Sequence, residues 1–477
     1  MTKDKKFYLT TSIFYVNASP HLGHALELIQ ADTIARYNRL IGKDVFFLTG
    51  TDENAQKNVI SAKKENISPL KFISRNAQKF KKLAKVLDIS NSYFIRTTDK
   101  KIHWPGVQKL WQECQKNGDI YKKQYEGLYC VGCEAFLTKK DLVLGKCPLH
   151  QREPEKVREE NYFFRLSKYK EKIKNIIQKD KVKIIPESKK NEILNILNSE
   201  LEDLSISRPS ERLEGIGILV PNDNSQKIYV WFDALANYIS AIGYGNNLKK
   251  YKKYWPADLH LIGKDILKFH AIYWLAFLLS AKIELPRAIL VHSFIKVEGQ
   301  KMSKSLGNIV DPFELVQKYG KDAVRYYFLR ESSPFEDVDF TFEKFEKRYN
   351  ADLALGLGNL VNRIISLAQR EKVKTKKGSK ESLVFLKKSL KIYHQKMKEF
   401  KLNEALIEIW NLISYTDKYI EKTRPWEKNK DQKQKISNLL FLLSEISNIL
   451  KPFLPETSKK IDFQVKTLNK EIVFQKI

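Results

Sequence analysis

The sequence is poor in cysteine, short of acidic residues relative to basic ones, and free of long apolar runs. Four cysteines in 477 residues are too few for a disulfide framework, which excludes a disulfide-stabilised secreted scaffold. No apolar run approaches the roughly 18 residues that a membrane span needs, which argues against a membrane protein. The N-terminus lacks the apolar core of a signal peptide. We therefore expect a cytoplasmic protein with no membrane partner.

Basic residues outnumber acidic ones by 85 to 56, so the formal net charge is +29. A surplus of this size attracts polyanions such as nucleic acid. The alternative is a compositional bias, because lysines are spread along the whole chain. Charge alone does not choose between these two interpretations.

The chain is too long for one ordinary hydrophobic core, and its pattern divides into regions. Buried-strand patterns at 7–16 and 44–50 flank an amphipathic helix whose apolar stripe runs from Leu22 to Tyr37. A second strand, helix, strand pattern covers 258–297. Because parallel strands need crossover connections, we predict one doubly wound, Rossmann-like parallel sheet interrupted by an insertion.

The last part of the chain contains helical patterns only. Three long periodic segments follow Phe345 and predict an all-α bundle at the C-terminus. The predicted class is α/β, with two halves of one domain, an insertion between them and the bundle. These four segments are 1–115, 116–225, 226–344 and 345–477.

Three of the four cysteines lie close together in the insertion and are followed by a histidine. Cys130 and Cys133 form a C-x-x-C pair, and Cys147 and His150 form a C-x-x-H pair. Four such ligands predict a tetrahedral Zn²⁺ site, a zinc knuckle, and a site closed by four protein ligands is structural. The remaining Cys114 is expected to be an ordinary core residue.

Two histidines, His21 and His24, lie three residues apart where the first helix is predicted to begin. With Glu27 they offer three possible metal ligands, although zinc helices usually space histidines four residues apart. The structural alternative is that Ser19 caps the helix, with Pro20 in its first turn. The histidines are then incidental polar residues.

A third interpretation of the histidine pair is an anion site. Lys301 and Lys304 lie on a glycine-flanked loop after a later strand and are placed to cover an anion held at a helix N-terminus. The histidines would donate from the other side, and Gly23 would let a flat base lie against bare backbone. This combination predicts a clamp for a nucleoside triphosphate.

The same residues resemble a known family. "HLGH" at 21–24 together with "KMSKS" at 301–305 resembles the class I aminoacyl-tRNA synthetases. The stretches "FYVNASPHLGHALELIQADTIARY", "YVWFDALANYISAIGY" and "TRPW" are similar to the bacterial methionyl-tRNA synthetases, and the similarity covers essentially the whole chain. It implies a ligase that activates L-methionine with ATP and Mg²⁺, releases pyrophosphate, and transfers methionine to the 3′ end of tRNA(Met).

The resemblance also implies roles for individual residues. The catalytic groups would be His21, His24, Lys301 and Lys304, which stabilise charge around the α-phosphate. ATP would also contact Gly23, Asp265 and Ser303; the alternative for Asp265 is a cap on the following helix. Asp52 would accept the α-ammonium of methionine, and Arg208 would hold the Asp52 carboxylate in place.

The implied pocket for the methionine side chain is largely aromatic, which suits a polarizable thioether. Its members are Ile13, Tyr15, Trp231, Ala234, Tyr238, His270 and Trp274. Leu235 stands where the family pattern has proline, and Ile13 where leucine is usual. Asp233 is expected to cap a helix that begins at Ala234.

In the predicted bundle, the resemblance implies that the CAU anticodon is recognised by Asn362, Arg370, Pro425 and Trp426. Ser366 departs from the family pattern. Judged without the resemblance, Trp426 would be a core residue. The chain ends without a further dimerisation module, so a monomer is expected.

Two other functions compete with the ligase. One is an inactive relative that binds tRNA through the bundle and the zinc knuckle. The other is a smaller nucleotidyltransferase with the same sheet. Complete "HLGH" and "KMSKS" motifs disfavour the first, and the length and the helical last third disfavour the second.

Overall fold

The structure, a computed structural model, describes residues 5–130, 135–137, 141–148, 151–301, 309–333, 336–376 and 378–477. The chain divides into two compact units. The first unit consists of Met1–Pro20, Asp44–Lys82 and Asn91–His292, and the second of His21–Lys43, Leu83–Ser90 and Ser293–Ile477. Among the described residues, no helix combines the length and the apolar character needed to cross a membrane.

The first unit contains a six-stranded sheet in which every neighbouring pair of strands is parallel. In spatial order the strands are Tyr93–Arg96, Asp44–Asp52, Lys6–Tyr15, Leu259–Gly263, Ala288–His292 and Lys183–Ile185. This confirms the predicted parallel Rossmann-like sheet. Its chain order reverses beside Lys6–Tyr15, and parallel sheets of this kind bind ligands beyond the carboxyl ends of the strands at such a point.

The segment predicted as an insertion contributes one strand to this sheet, because Lys183–Ile185 pairs with Ala288–His292. The rest of the segment forms two small antiparallel sheets. Their strands are Ala135–Leu137, Ile120–Cys130, Glu155–Phe164 and Leu204–Ser205 in one, and Leu219–Val220, Asp223–Ile228 and Ser207–Pro209 in the other.

The helices of this part of the chain cover the strands' apolar side chains in one large core. The α-helices are Gln56–Lys64, Pro69–Val86, His103–Lys116, Lys170–Gln178, Glu187–Asn198, Val230–Leu235, Asn237–Ser240, Leu248–Tyr254 and Leu275–Ser280, and Phe269–Trp274 is a π-helix. Cys114 lies in this core, as predicted. Burial raises the pKa of its thiol to about 12.

The predicted strand across 288–297 is wrong, because the chain forms two strands there. Ala288–His292 belongs to the parallel sheet. Ile295–Val297 instead pairs with Val338–Phe340 and Gln300–Lys301 in a sheet of the second unit. A continuous apolar pattern does not reveal which partner each half of a run will find.

The second unit is mainly helical, which confirms the C-terminal helices. Its helices are Leu22–Leu40, Pro312–Tyr319, Lys321–Glu331, Phe342–Arg348, the π-helix Tyr349–Gly358, Asn359–Arg370, Lys380–Lys398, Leu402–Thr423, Gln432–Leu450 and Pro455–Thr467. The apolar stripe predicted for Leu22–Leu40 is buried. A fully buried ion pair of 2.8 Å between Asp32 and Arg325 fixes that helix within the unit.

Candidate active site

The helix Leu22–Leu40 begins with the histidine pair. His21 is its N-cap, and the Nδ1 atom of His21 accepts from the Gly23 N–H at 3.1 Å. The Nδ1 atom of His24 accepts from the His21 N–H, also at 3.1 Å. The alternative cap is wrong, because Ser19 precedes the cap position and its hydroxyl accepts from Lys79 at 2.9 Å.

This reciprocal capping fixes the proton on each imidazole. A nitrogen that accepts from a backbone N–H carries no proton, so the neutral form of each ring has its proton on Nε2. The ring centroids lie 3.9 Å apart. Two N–H donors at a helix N-terminus form an arrangement that favours an anion.

The packing of His21 explains why a glycine occupies position 23, which the sequence did not reveal. A Cβ atom at this position would lie 2.9 Å from Cε1 and 3.1 Å from Nδ1 of His21. Any other residue would therefore push the capping imidazole away. The predicted contact of Gly23 with a base stays a prediction.

The predicted lysine clamp lies mostly outside the described residues. Lys301 belongs to the strand Gln300–Lys301, but its side chain and the residues Ser303 and Lys304 are not described. Their approach to the histidines stays a prediction.

The strand end that carries Asp52 lies beside Tyr15. In the parallel register Tyr15 is opposite Asp52, and Ile13 is opposite Gly50. Asp52 is buried, whereas Ile13 and Tyr15 are half-buried. One carboxylate and two predicted pocket residues thus meet at the carboxyl edge of the sheet.

The two residues that follow Asp52 were missed in the sequence. Glu53 is fully buried and accepts from Arg96 Nε at 2.7 Å and from the Thr51 hydroxyl at 2.7 Å. Asn54 donates to Asp233 at 2.7 Å and to the Thr97 carbonyl at 3.1 Å. A buried polar run after a strand was the available signal, since buried polar groups need partners.

Most of the predicted side-chain pocket comes together in the first unit. Trp231 stacks on Phe269 with centroids 3.7 Å apart, and Tyr15 meets Trp231 edge-on at 6.3 Å. His270 also faces Trp231 at 6.4 Å. Phe269 is an aromatic wall that the sequence interpretation did not include.

One hydrogen bond orients the polar group of this pocket. His270 Nδ1 lies 2.9 Å from the Ile266 carbonyl, which only accepts, so Nδ1 carries the proton. Nε2 then accepts from the Tyr238 hydroxyl at 2.7 Å. Burial lowers the pKa of His270 to about 4, which keeps the ring neutral.

Trp274 lies behind the pocket. It is fully buried, its ring packs against Tyr238 at 5.9 Å, and its indole N–H donates to His260 Nε2 at 3.4 Å. His260 in turn contacts the Thr10 hydroxyl through Nδ1 at 2.7 Å. Trp274 therefore supports Tyr238 in this conformation.

Arg208 has other partners than the expected Asp52. Its Nη1 donates to Ser205 Oγ at 2.9 Å and to the Ser207 carbonyl at 2.6 Å, and its guanidinium covers the ring of Tyr229 at 4.4 Å. It lines a cleft of about 640 Å³. Ser205 and Ser207 thus accept the hydrogen bonds of Arg208, whereas the sequence interpretation expected the Asp52 carboxylate to accept them.

The two capping alternatives for aspartates are wrong. The helix that contains Ala234 begins at Val230 and its N-cap is Tyr229, so Asp233 lies within the helix. Asp265 is exposed within the short turn Lys264–Ile266, whose N-cap is Gly263. Asp265 does lie directly after the strand Leu259–Gly263, as predicted.

Two of the four predicted zinc ligands are described, and both are buried. Cys130 ends the strand Ile120–Cys130, where it pairs with Ala135, and Cys147 follows a short bridge between Val143 and Lys146. Each thiol thus lies at the end of a hairpin. Cys133 and His150 lie outside the described residues, and the described residues alone contain no complete group of metal ligands.

The predicted anticodon residues lie in the second unit. Asn362, Ser366 and Arg370 share one face of the helix Asn359–Arg370, and the side chains of Asn362 and Arg370 are exposed. Trp426 is 42% exposed, so the interpretation of Trp426 as a core residue is wrong. Pro425 is buried, and its carbonyl accepts from Gln432 at 3.2 Å.

Two protein-family models match this chain. The family "tRNA synthetases class I (M)" matches residues 7–156 and 149–365, and "Anticodon-binding domain of tRNA ligase" matches residues 379–476. The methionine–tRNA ligase of Clostridium perfringens is 44% identical over 479 residues, covering 97% of this chain and 74% of the relative. That of Rhizobium meliloti is 40% identical, covering 97% and 92%.

A solved structure is similar over almost the whole chain. Methionyl-tRNA synthetase of Mycobacterium tuberculosis, in complex with methionyl-adenylate, superposes with a TM-score of 0.90 at 37% identity, covering 96% of this chain and 93% of that chain. This chain belongs to the class I methionyl-tRNA synthetase family.

The family matches cover most of the residues that were predicted for the site. The class I match includes the histidine pair, Asp52 and the aromatic pocket, and it extends to residue 365, beyond Asn362. Arg370 lies between the two matched regions, and Pro425 and Trp426 fall in the second.

Proposed function

We propose that this methionyl-tRNA synthetase activates methionine with ATP and transfers the methionyl group to the 3′ end of tRNA. The observation that supports this most directly is the edge of the sheet where Asp52 lies opposite Tyr15, next to a pocket of stacked rings around a neutral His270. A buried carboxylate suits an α-ammonium, and aromatic walls suit a thioether.

The activation step needs no general base. An oxygen of the methionine carboxylate attacks the α-phosphorus of ATP, the new P–O bond forms, and the bond to the leaving pyrophosphate breaks. The enzyme must therefore align the two substrates and stabilise the added negative charge. We assign this charge stabilisation to Nε2–H of His21 and His24 and to Lys301 and Lys304. Mg²⁺ bound with ATP would supply further countercharge.

We assign the remaining nucleotide contacts to Gly23, Asp265 and Ser303. Asp265 is exposed directly beyond the strand Leu259–Gly263, where a ribose hydroxyl would find a carboxylate acceptor. This location is supported by the general position of ligands at the carboxyl ends of parallel strands.

Methionine specificity would come from the pocket around Trp231. His270 fixes the Tyr238 hydroxyl by accepting its hydrogen bond at Nε2, and Phe269 stacks on the Trp231 ring and fixes its orientation. A pocket discriminates one missing methyl-sized group by only about 1–3 kcal/mol. We therefore expect measurable activation of homocysteine, checked by pyrophosphate exchange; activation indistinguishable from background would contradict this pocket.

We propose that Cys130, Cys133, Cys147 and His150 bind one structural Zn²⁺. Cys130 and Cys147, buried thiols at two hairpin ends, support this ligand set. Zinc would order the knuckle. Its stoichiometry is measured by elemental analysis of the purified protein and of a Cys147→Ser variant, and equal zinc content in both proteins would contradict the site.

We further propose that Asn362, Arg370, Pro425 and Trp426 recognise the anticodon. The exposed indole of Trp426 is available for stacking on a loop base, and the exposed side chains on Asn359–Arg370 offer hydrogen bonds. The expected monomer and the cytoplasmic location stay predictions.

The test of the function is ATP–pyrophosphate exchange measured with each of the twenty amino acids. We expect exchange that depends strongly on methionine, followed by charging of tRNA with a CAU anticodon. An inactive tRNA-binding relative would give no exchange above background with any amino acid, and exchange led by another amino acid would overturn the assignment of methionine.

A further inference from the structure

A buried carboxylate that belongs to no proposed substrate contact lies in the same short helix as Trp231 of the methionine pocket. Asp233 is fully buried, and each of its oxygens has a partner. Oδ1 lies 2.6 Å from Nε2 of His103, and Oδ2 accepts from Nδ2 of Asn54 at 2.7 Å. Since an ionised carboxylate only accepts, His103 must carry a proton on Nε2.

Asn54 connects this carboxylate to the strand end that carries Asp52, two residues earlier in the chain. Besides Asp233, its Nδ2 donates to the Thr97 carbonyl at 3.1 Å. Its Oδ1 accepts from the Gly217 N–H at 3.2 Å. The amide is thus held from three sides, and its orientation is fixed by groups that only donate or only accept.

Asp233 connects the same network to the wall of the pocket. It lies in the helix Val230–Leu235, between Trp231 and Ala234. His103 extends the network, because its Nδ1 lies 2.8 Å from the hydroxyl of Ser240. His103 begins the helix His103–Lys116, so three separate chain segments meet at one carboxylate.

We propose that the Asn54–Asp233–His103 network is a positioning element for methionine activation, which sets the distance between the ammonium-binding Asp52 and the side-chain wall at Trp231. The inference rests on the proposed function of these two residues. Methionine is bound at both ends, so an error in this distance weakens one contact whenever the other forms. All three network residues are buried, so they act through Asp52 and Trp231 and not on the substrate.

The network is expected to fail in a specific manner when Asn54 becomes acidic. Asn54→Asp keeps the size of the side chain but places a second carboxylate against Asp233, and like charges at this distance repel strongly. The KM for methionine should rise about tenfold or more, as for the loss of a hydrogen bond to a buried charge. The KM for ATP, measured at saturating methionine, should stay near its wild-type value.

His103 provides a second pair of variants in case Asn54→Asp does not fold. His103→Gln offers an amide N–H that can still donate to Asp233, whereas His103→Ala leaves Oδ1 without its partner. We expect the KM for methionine to rise in His103→Ala and to stay much closer to the wild-type value in His103→Gln. The matched control is Tyr169→Phe, which removes a hydrogen bond to the buried carboxylate of Asp119 elsewhere in the same unit.

An analogue without the α-ammonium, 4-(methylsulfanyl)butanoate, separates positioning from general destabilisation. It cannot use Asp52, so the distance from Asp52 to Trp231 does not matter for it. Its inhibition constant against methionine should change much less than the methionine KM in Asn54→Asp and His103→Ala. An equal rise in the KM for methionine and in the inhibition constant of the analogue would overturn the proposal. A parallel rise in the KM for ATP would overturn it as well.

The wild-type enzyme distinguishes the two possible failures. Wild-type protein without methionine-dependent exchange would overturn the proposed function and this inference together. Active wild-type protein with folded Asn54 and His103 variants that match Tyr169→Phe in every constant would overturn the inference alone.

Discussion

The proposed methionine pocket and the proposed anticodon surface present their recognition groups in opposite ways. In the pocket, His270 and Tyr238 are buried and held by hydrogen bonds to other protein groups. On the anticodon surface, Trp426 is 42% exposed, and Asn362 and Arg370 lie exposed on a helix face. The recognition groups of the pocket are therefore buried and fixed in orientation, whereas those of the anticodon surface are exposed to solvent.

The difference follows from the ligands. The side chain of methionine is small and apolar, so its recognition depends on desolvation in a pocket of fixed shape. An anticodon loop brings its own rings and phosphates, and exposed side chains are sufficient to stack on bases. Substitutions in the pocket should therefore cost more than substitutions on the anticodon surface.

The largest effect is expected for Asp52→Asn. The substitution keeps the shape of a buried side chain but removes the charge that would pair with the ammonium, and losing one partner of a buried pair costs about 3–5 kcal/mol. The kcat/KM for methionine in pyrophosphate exchange should fall roughly 100-fold or more. Asp44→Asn, at the other end of the same strand, is the control and should stay close to wild type.

The next largest effect concerns the protonation of His270. Its pKa of about 4 in the folded protein lies below the ordinary 6.5, so an unfolded chain binds the proton first as the pH falls. The stabilisation is complete above pH 6.5 and is lost as the pH falls toward 4. Between pH 7 and 4.5, the free energy of unfolding of the wild type should fall about 2–3 kcal/mol more than that of His270→Gln. Parallel pH profiles of chemical denaturation would contradict a neutral His270.

A smaller effect is expected on the anticodon surface. Trp426→Ala removes a stacking contact worth about 1–3 kcal/mol, so the kcat/KM for tRNA should fall about 5- to 150-fold, while methionine-dependent exchange stays unchanged. Phe463→Ala is the matched control, because Phe463 is a similarly exposed ring, 44% against 42%. If exchange falls with charging, or if both variants behave alike, the contrast between the two regions is lost.

The smallest effect is expected for Gly23→Ala. The added Cβ would meet His21 at 2.9 Å and displace the capping imidazole, at a cost of about 1 kcal/mol that a better helix former partly offsets. Thermal stability should change little, whereas the exchange rate should fall about fivefold through the moved Nε2–H donor. An unchanged rate would show that the His21 cap geometry is unrelated to activation.

Some elements follow from local pattern and were predicted correctly. The apolar stripe of Leu22–Leu40, the parallel strands and the C-terminal helices are repeated over many residues, so small irregularities do not hide them. The split of 288–297 was not predicted, because pairing partners lie far away in the chain. For the same reason the sequence did not show that Lys183–Ile185 joins the parallel sheet.

At the site, residue type and spacing in the sequence singled out the histidine pair, whereas Asp52 and the aromatic residues around Trp231 and His270 were predicted from the resemblance to the synthetase family. Only the tertiary structure showed that each histidine caps the helix through Nδ1, that Phe269 holds Trp231, and that Asn54 and His103 share the carboxylate of Asp233. The physical reason is that chemistry resides in side-chain type, which the sequence states directly. Protonation, orientation and spacing depend on partners that folding alone brings within hydrogen-bonding distance.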